Sequence, residues 1–186
     1  MKRYIACSLV LVLGAACSPG EHQPAGSLTA PSLATAAVGV PENFRAHLSG
    51  DAVVPALPIP TRAQGQAVFQ LSPDGTELSV RVLVANIENV VGAHIHLAAA
   101  GLRGPLVALL MAPVSPGGGR TDGVLTVGTL TAAQLFGPLA GQPLSAVIEA
   151  IASGNAYVDI PTNDGVVPVN TGIGDYPGGE LRGQIR

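Results

Sequence analysis

The sequence predicts an all-β domain, an antiparallel β-sandwich with Greek-key-like connections and one or two short helical segments. Three observations lead there. Short runs alternate apolar and polar residues with a period of two, as expected for strands that cover a core on one face. Clusters of Gly, Pro, Asn and Asp separate these runs, with 24 Gly and 16 Pro in 186 residues, and they supply turn chemistry. The segments between runs mostly lack the length of helix that a parallel crossover requires.

The chain opens on an export signal. Lys2 and Arg3 form a basic start, Ile5 to Leu13 an apolar stretch, and Gly14-Ala15-Ala16 a small-residue cleavage site before Cys17, the pattern of a secretory leader over residues 1–17. The apolar stretch is short for a membrane span. Leu13-Gly14-Ala15-Ala16-Cys17 resembles the lipobox of bacterial lipoproteins, although Gly14 stands where a bulky residue is usual. The expectation is lipidation of Cys17, which would become the mature N-terminus and anchor the protein to a membrane, in the periplasm or at the cell surface. Cleavage after Ala16 and release as a soluble secreted protein is the alternative. The other cysteine is Cys7, inside the leader, so no disulfide is expected in the mature chain.

Residues 18–41 are rich in Pro, Ala, Ser, Thr and Gly without a sustained period and read as a flexible tether. The domain is assigned to residues 42–186, long enough for one hydrophobic core. Its first strand alternates Phe44, Ala46 and Leu48 with Arg45, His47 and Ser49. A hairpin follows: Ala67, Phe69 and Leu71, the turn Ser72-Pro73-Asp74-Gly75, then Leu78, Val80, Val82 and Val84. Further strands are expected at 93–98, 105–111, 123–129, 156–160 and 180–185. Thr131 to Phe136 reads as a helical segment with Thr131 as N-cap, and Pro143 to Ser153 as a second, stopped by Gly154.

Charge excludes one class of partner. Nine Lys and Arg against twelve Asp and Glu give a net −3, and loss of Lys2 and Arg3 with the leader takes this to −5. The remaining basic residues are arginines that do not cluster along the chain, so nucleic acid is not an expected partner. The glycine-rich stretches lack the spacing of a phosphate loop. No serine lies in a Gly-x-Ser-x-Gly elbow.

Ala93-His94-Ile95-His96 carries the clearest chemical signal. On a strand the two imidazoles leave one face while Ala93 and Ile95 leave the other, which suits Cu or Zn. A pair is incomplete, since a closed site needs four ligands and an open one three. Asp159, Glu180 and His47 are the candidates to complete it, while His22 lies in the tether. Glu180 and Arg182 share a face of the last strand and are read as a structural pair closing the sheet. Asp159, Asn163, Asp164, Asn170, Asp175 and Glu180 offer oxygens suited to calcium, but these residue types are also what turns use.

Several blocks occur in an order and spacing that resembles the CHRD domain, the module named for its repeats in chordin and also found alone in exported bacterial proteins. They are Phe44 to Gly50 with Val54-Pro55, Gly65 to Phe69, Ala93 to His96, Arg103 to Val107, Ser153 to Val158, and Pro177 to Ile185. The resemblance implies an exported all-β module for which a general catalytic activity is not established. One departure stands out: where the family usually has Asn, an apolar residue and His-Thr after Tyr-Val, this chain reads Asp159-Ile160-Pro161-Thr162. Pro161 therefore stands where the resemblance would put a third histidine. The function expected is a non-catalytic, membrane-tethered binding or structural module of the cell envelope with an envelope or extracellular partner that the residues do not specify. The alternative is a His-dependent Cu- or Zn-binding protein; superoxide-dismutase-like turnover is disfavoured by the acidic balance and the absence of clustered lysine.

Overall fold

Alternating burial organises the domain from its first strand onward. In β1 (Asn43–Ser49) Phe44, Ala46 and Leu48 are buried while Asn43, Arg45 and His47 face solvent, as the period-two pattern requires. The computed structural model describes residues 43–54 and 60–186. The leader, Cys17, the tether and His22 lie outside the described residues.

Among the described residues eight strands form one antiparallel sheet: β1, β2 (Gln64–Leu71), β3 (Leu78–Glu88), β4 (Ala93–Leu97), β5 (Leu106–Met111), β6 (Arg120–Leu130), β7 (Ala156–Ile160) and β8 (Leu181–Gln184). Their spatial order is β5-β4-β7-β8-β1-β2-β3-β6. The sheet curls until its two edge strands approach, and the Thr126 hydroxyl of β6 donates to the Leu110 carbonyl of β5 at 3.1 Å. A nearly closed, sandwich-like sheet results, which limits the exposed edge. Its interior is filled by Phe44, Phe69, Leu78, Ile87, Ile95 and Leu181 among others.

The hairpin between β2 and β3 turns where the sequence places it. Asp74 accepts hydrogen bonds from the Ser72 hydroxyl at 2.6 Å and the Thr76 amide at 3.1 Å, and Gly75 takes a φ of 71°. The first helical segment is a single 3-10 turn, Ala132–Gln134, held where the Thr131 amide donates to the Gln134 side chain at 2.8 Å. The second is α1 (Ser145–Ala152), which buries Val147, Ile148 and Ile151 in the core and ends before Gly154 at φ 74°.

Topology matters most at β7. This strand enters late in the chain yet sits between β4 and β8, and all five of its residues are buried. Ala156, Val158 and Ile160 join the core; Tyr157 and Asp159 point to the opposite face, which is covered in its turn. The loop from Asn163 to Tyr176 returns the chain to β8 through side-chain and backbone turns. The Asn163 and Asp164 side chains accept from the amides of Gly165 at 2.7 Å and Val166 at 2.8 Å, and Asp175 accepts from the Thr171 amide and hydroxyl, both at 2.9 Å.

Candidate metal centre

Two rows of side chains run across three strands on the face away from the core. Antiparallel pairing sets His94 of β4 opposite Asp159 of β7, and Asp159 opposite Arg182 of β8. The next row is His96, Tyr157 and Gln184. The i, i+2 spacing thus brings both imidazoles to one face, and the pairing of β4 with β7 places a carboxylate beside them.

His94, His96 and Asp159 each present a ligand-type atom, and these atoms lie within 4.8 Å of one another. The His96 Nδ1 lies 3.0 Å from the Gly104 carbonyl oxygen, which can only accept, so Nδ1 carries the proton and Nε2 keeps its lone pair. Among the described residues that Nε2 is buried with no hydrogen-bond partner. A ring stack holds the imidazole in place, with Tyr157 at 5.1 Å and an interplanar angle of 15°. The Tyr157 hydroxyl accepts from the Gly104 amide at 3.3 Å, and the Arg182 guanidinium lies 3.5 Å above the Tyr157 ring centroid.

Burial sets the protonation of the group. Asp159 is 9% exposed, and desolvation pushes its carboxyl up to about 7 even though Arg103 and Arg182 pull it down. Burial and the neighbouring His96 lower His94. His96 is lowered chiefly by burial, against which the Gly104 hydrogen bond acts, with Arg103 and Arg182 adding to the lowering. Both imidazoles are therefore disposed to be neutral near pH 7, the form that ligates metal. Gly179, at φ 113°, brings its backbone against the Asp159 carboxylate, where any Cβ would overlap the oxygens.

The other sequence candidates lie elsewhere. His47 is exposed on β1 opposite Gln66, and Glu180 is fully buried in a separate network. There the Glu180 carboxylate accepts from the hydroxyls of Thr61 at 2.5 Å and Thr162 at 2.7 Å, and from the Gly174 amide at 2.9 Å. Glu180 and Arg182 are both buried but do not pair: Arg182 donates instead to the Leu102 carbonyl at 2.6 Å. The chain turns at Gly179 and β8 starts only at Leu181, so the alternation assumed from 180 onward does not apply at its first residue.

Some of the arginines that are scattered along the chain converge in space. Arg103 and Arg182 line a cavity of about 270 Å³ together with His96, Tyr157 and Asp159. Arg45 and Arg186 line an adjoining groove that shares Arg182. Arg103 is exposed and donates to the Gly178 carbonyl at 2.8 Å. Period-two patterning carries no signal for this convergence, because it depends on which strands become neighbours.

No curated protein and no solved structure matches the chain. The CHRD domain matches residues 44–185, a span that holds the described strands except Asn43 at the start of β1, the two-histidine segment and the Asp159 and Arg182 positions. A binding or structural module is what that domain suggests. The chain belongs to the CHRD domain family.

Proposed function

We propose that this CHRD domain is a non-catalytic binding module of the cell envelope whose ligand is a divalent transition metal, zinc or copper, held by His94, His96 and Asp159. The observation that carries the reading is the His96 ring. Its Nδ1 is fixed by a backbone carbonyl and its Nε2 is buried without a partner among the described residues, whereas a buried polar atom normally has one. A metal-ligating histidine is held in this way, with the second nitrogen bonded to a carbonyl or carboxylate. Asp159 supports it: the position that resembles an Asn of the family holds a carboxylate here, one pleat back from Pro161 on the same face. Two imidazoles and a carboxylate make a three-ligand set with an open position.

Metal content of the purified full chain after incubation with zinc or copper and desalting tests the reading. The wild type is expected to retain about one metal per chain, and His94→Ala/His96→Ala to lose it, since two of three ligands are gone. Equal content in both proteins would refute the site.

Residues 1–17 and the Pro/Ala/Ser/Thr-rich segment 18–41 support an exported module carried on a lipid-anchored tether at Cys17. Cys17→Ser is expected to move the protein from the membrane fraction to the soluble fraction and to remove the acyl mass. Unchanged fractionation with an unchanged mass would rule out the anchor.

A further inference from the structure

We infer that the cavity lined by His96 and Asp159, two of the three metal ligands, is an anion site, in which Arg103 and Arg182 hold a small carboxylate or carbonate at the open position of the bound metal. The inference rests on the metal reading above and adds a ligand class to it.

Arg182 is the first reason. It is 3% exposed, sits on the Tyr157 ring and gives one hydrogen bond, to a backbone carbonyl. Among the described residues neither Arg182 nor Arg103 forms an ion pair with a carboxylate; the ion pair present is Arg120 with Asp122. A buried guanidinium is costly unless its charge is matched. It also carries five donors in a planar fork that fits a carboxylate or a planar oxoanion.

Charge balance in the cavity is the second reason. Among the described residues Asp159 is the one carboxylate in its lining. A divalent metal, an ionised Asp159 and two guanidiniums leave a formal surplus of about three positive charges around one cavity, and the ion's own charge dominates such a site. An anion that bridges the metal and the guanidiniums answers both demands.

Volume limits the occupant. About 270 Å³ is below the usual range of drug-sized pockets, so the site fits an anion of a few heavy atoms with accompanying water rather than an extended chain. Glycine carbonyls from Gly104 and Gly178, already bonded to His96 and Arg103, fix the two sides of the cavity. Arg182 comes from β8 and Arg103 from the segment between β4 and β5, and the bond from Arg182 to the Leu102 carbonyl ties the two elements together beside the cavity.

The test uses the full chain loaded with Cu²⁺, titrated with azide as an anionic probe and imidazole as a neutral one, each followed by the copper absorption spectrum. Arg103→Gln removes an exposed charge and leaves the metal ligands in place. Its azide affinity is expected to fall about tenfold, the scale of a lost charge-assisted contact, while imidazole and copper affinities stay within about twofold. Acetate or bicarbonate is expected to displace azide from the wild type, and the stronger competitor identifies the class. Equal azide affinity in the two proteins, a parallel loss of azide and imidazole binding, or no displacement by either competitor would each overturn the anion site with the metal site intact. Failure of the wild type to take up copper would overturn both.

Discussion

Asp159→Asn is expected to stabilise the metal-free domain at pH 8 and to abolish its stabilisation by zinc. Burial raises the Asp159 carboxyl to about 7 in the folded protein, against about 3.9 for an unfolded chain. Below pH 4 both states hold the proton and the group contributes no pH dependence. Between about 4 and 7 the unfolded chain releases its proton while the folded domain keeps it, so stability falls as pH rises. Above 7 both are ionised, and the folded state bears the full penalty of a buried carboxylate. Three units correspond to about 4 kcal/mol as an upper bound. Asn has the same shape and no such titration, and because its amide also needs partners the net gain is expected to be about 2 kcal/mol at pH 8.

Metal reverses the sign of that dependence. A ligand carboxylate must be ionised, so zinc competes with the proton on Asp159 and binds more tightly as pH rises through 7. His94 and His96, both lowered by burial, offer little proton competition in this range. Zinc at a thousandfold over its dissociation constant adds about 4 kcal/mol to the wild type, with the larger shift at pH 8 than at pH 5. Urea unfolding at both pH values, with and without zinc, separates the effects. A wild type whose metal-free stability is flat from pH 4 to 7, or an Asp159→Asn protein that keeps the zinc shift, would contradict this account.

The same residue shows where sequence pattern stops being informative. Phe44, Ala46 and Leu48 alternate with exposed neighbours, so both the strand and its buried face follow from the sequence. His94 and His96 are legible for the same reason, since Ala93 and Ile95, which alternate with them, are apolar and buried. β7 is buried on both faces, and alternation vanishes where both sides of a strand are covered. Ala156-Tyr157-Val158-Asp159-Ile160 therefore identifies a strand without saying what Asp159 faces. That depends on β7 lying between β4 and β8, and in the β4–β7 pairing His94 and Asp159 are 65 positions apart. Arg103 and Arg182 are hidden by the same cause: their separation of 79 positions becomes a shared cavity only after the sheet has curled. Glu180 is the opposite case, a residue whose spacing from Arg182 suggests a shared face until the turn at Gly179 removes it from the strand.

Gly183→Ala is expected to cost about 3 kcal/mol or more, a loss at the upper end for a single substitution. β8 and β1 meet at the middle of the strand order and join the half that carries the metal centre to the half formed by β1, β2, β3 and β6. The seam is narrow. Its ladder pairs Ser49 with Arg182, and Arg45 and Arg186 exchange two backbone hydrogen bonds at 2.8 Å. At Gly183 the backbones pass so close that a Cβ would overlap the His47 carbonyl oxygen and press on the Leu48 side chain at 2.8 Å. A backbone oxygen cannot swing aside as a flexible side chain can, so the strands must part and the seam must lengthen. Gly128→Ala is the matched control, because a Cβ there meets nothing within 4 Å, and its effect is expected to stay within about 0.5 kcal/mol. Equal urea midpoints for the two variants would refute the seam argument. Zinc should still raise the midpoint of Gly183→Ala, because the β4–β7 ladder that aligns His94, His96 and Asp159 does not pass through residue 183.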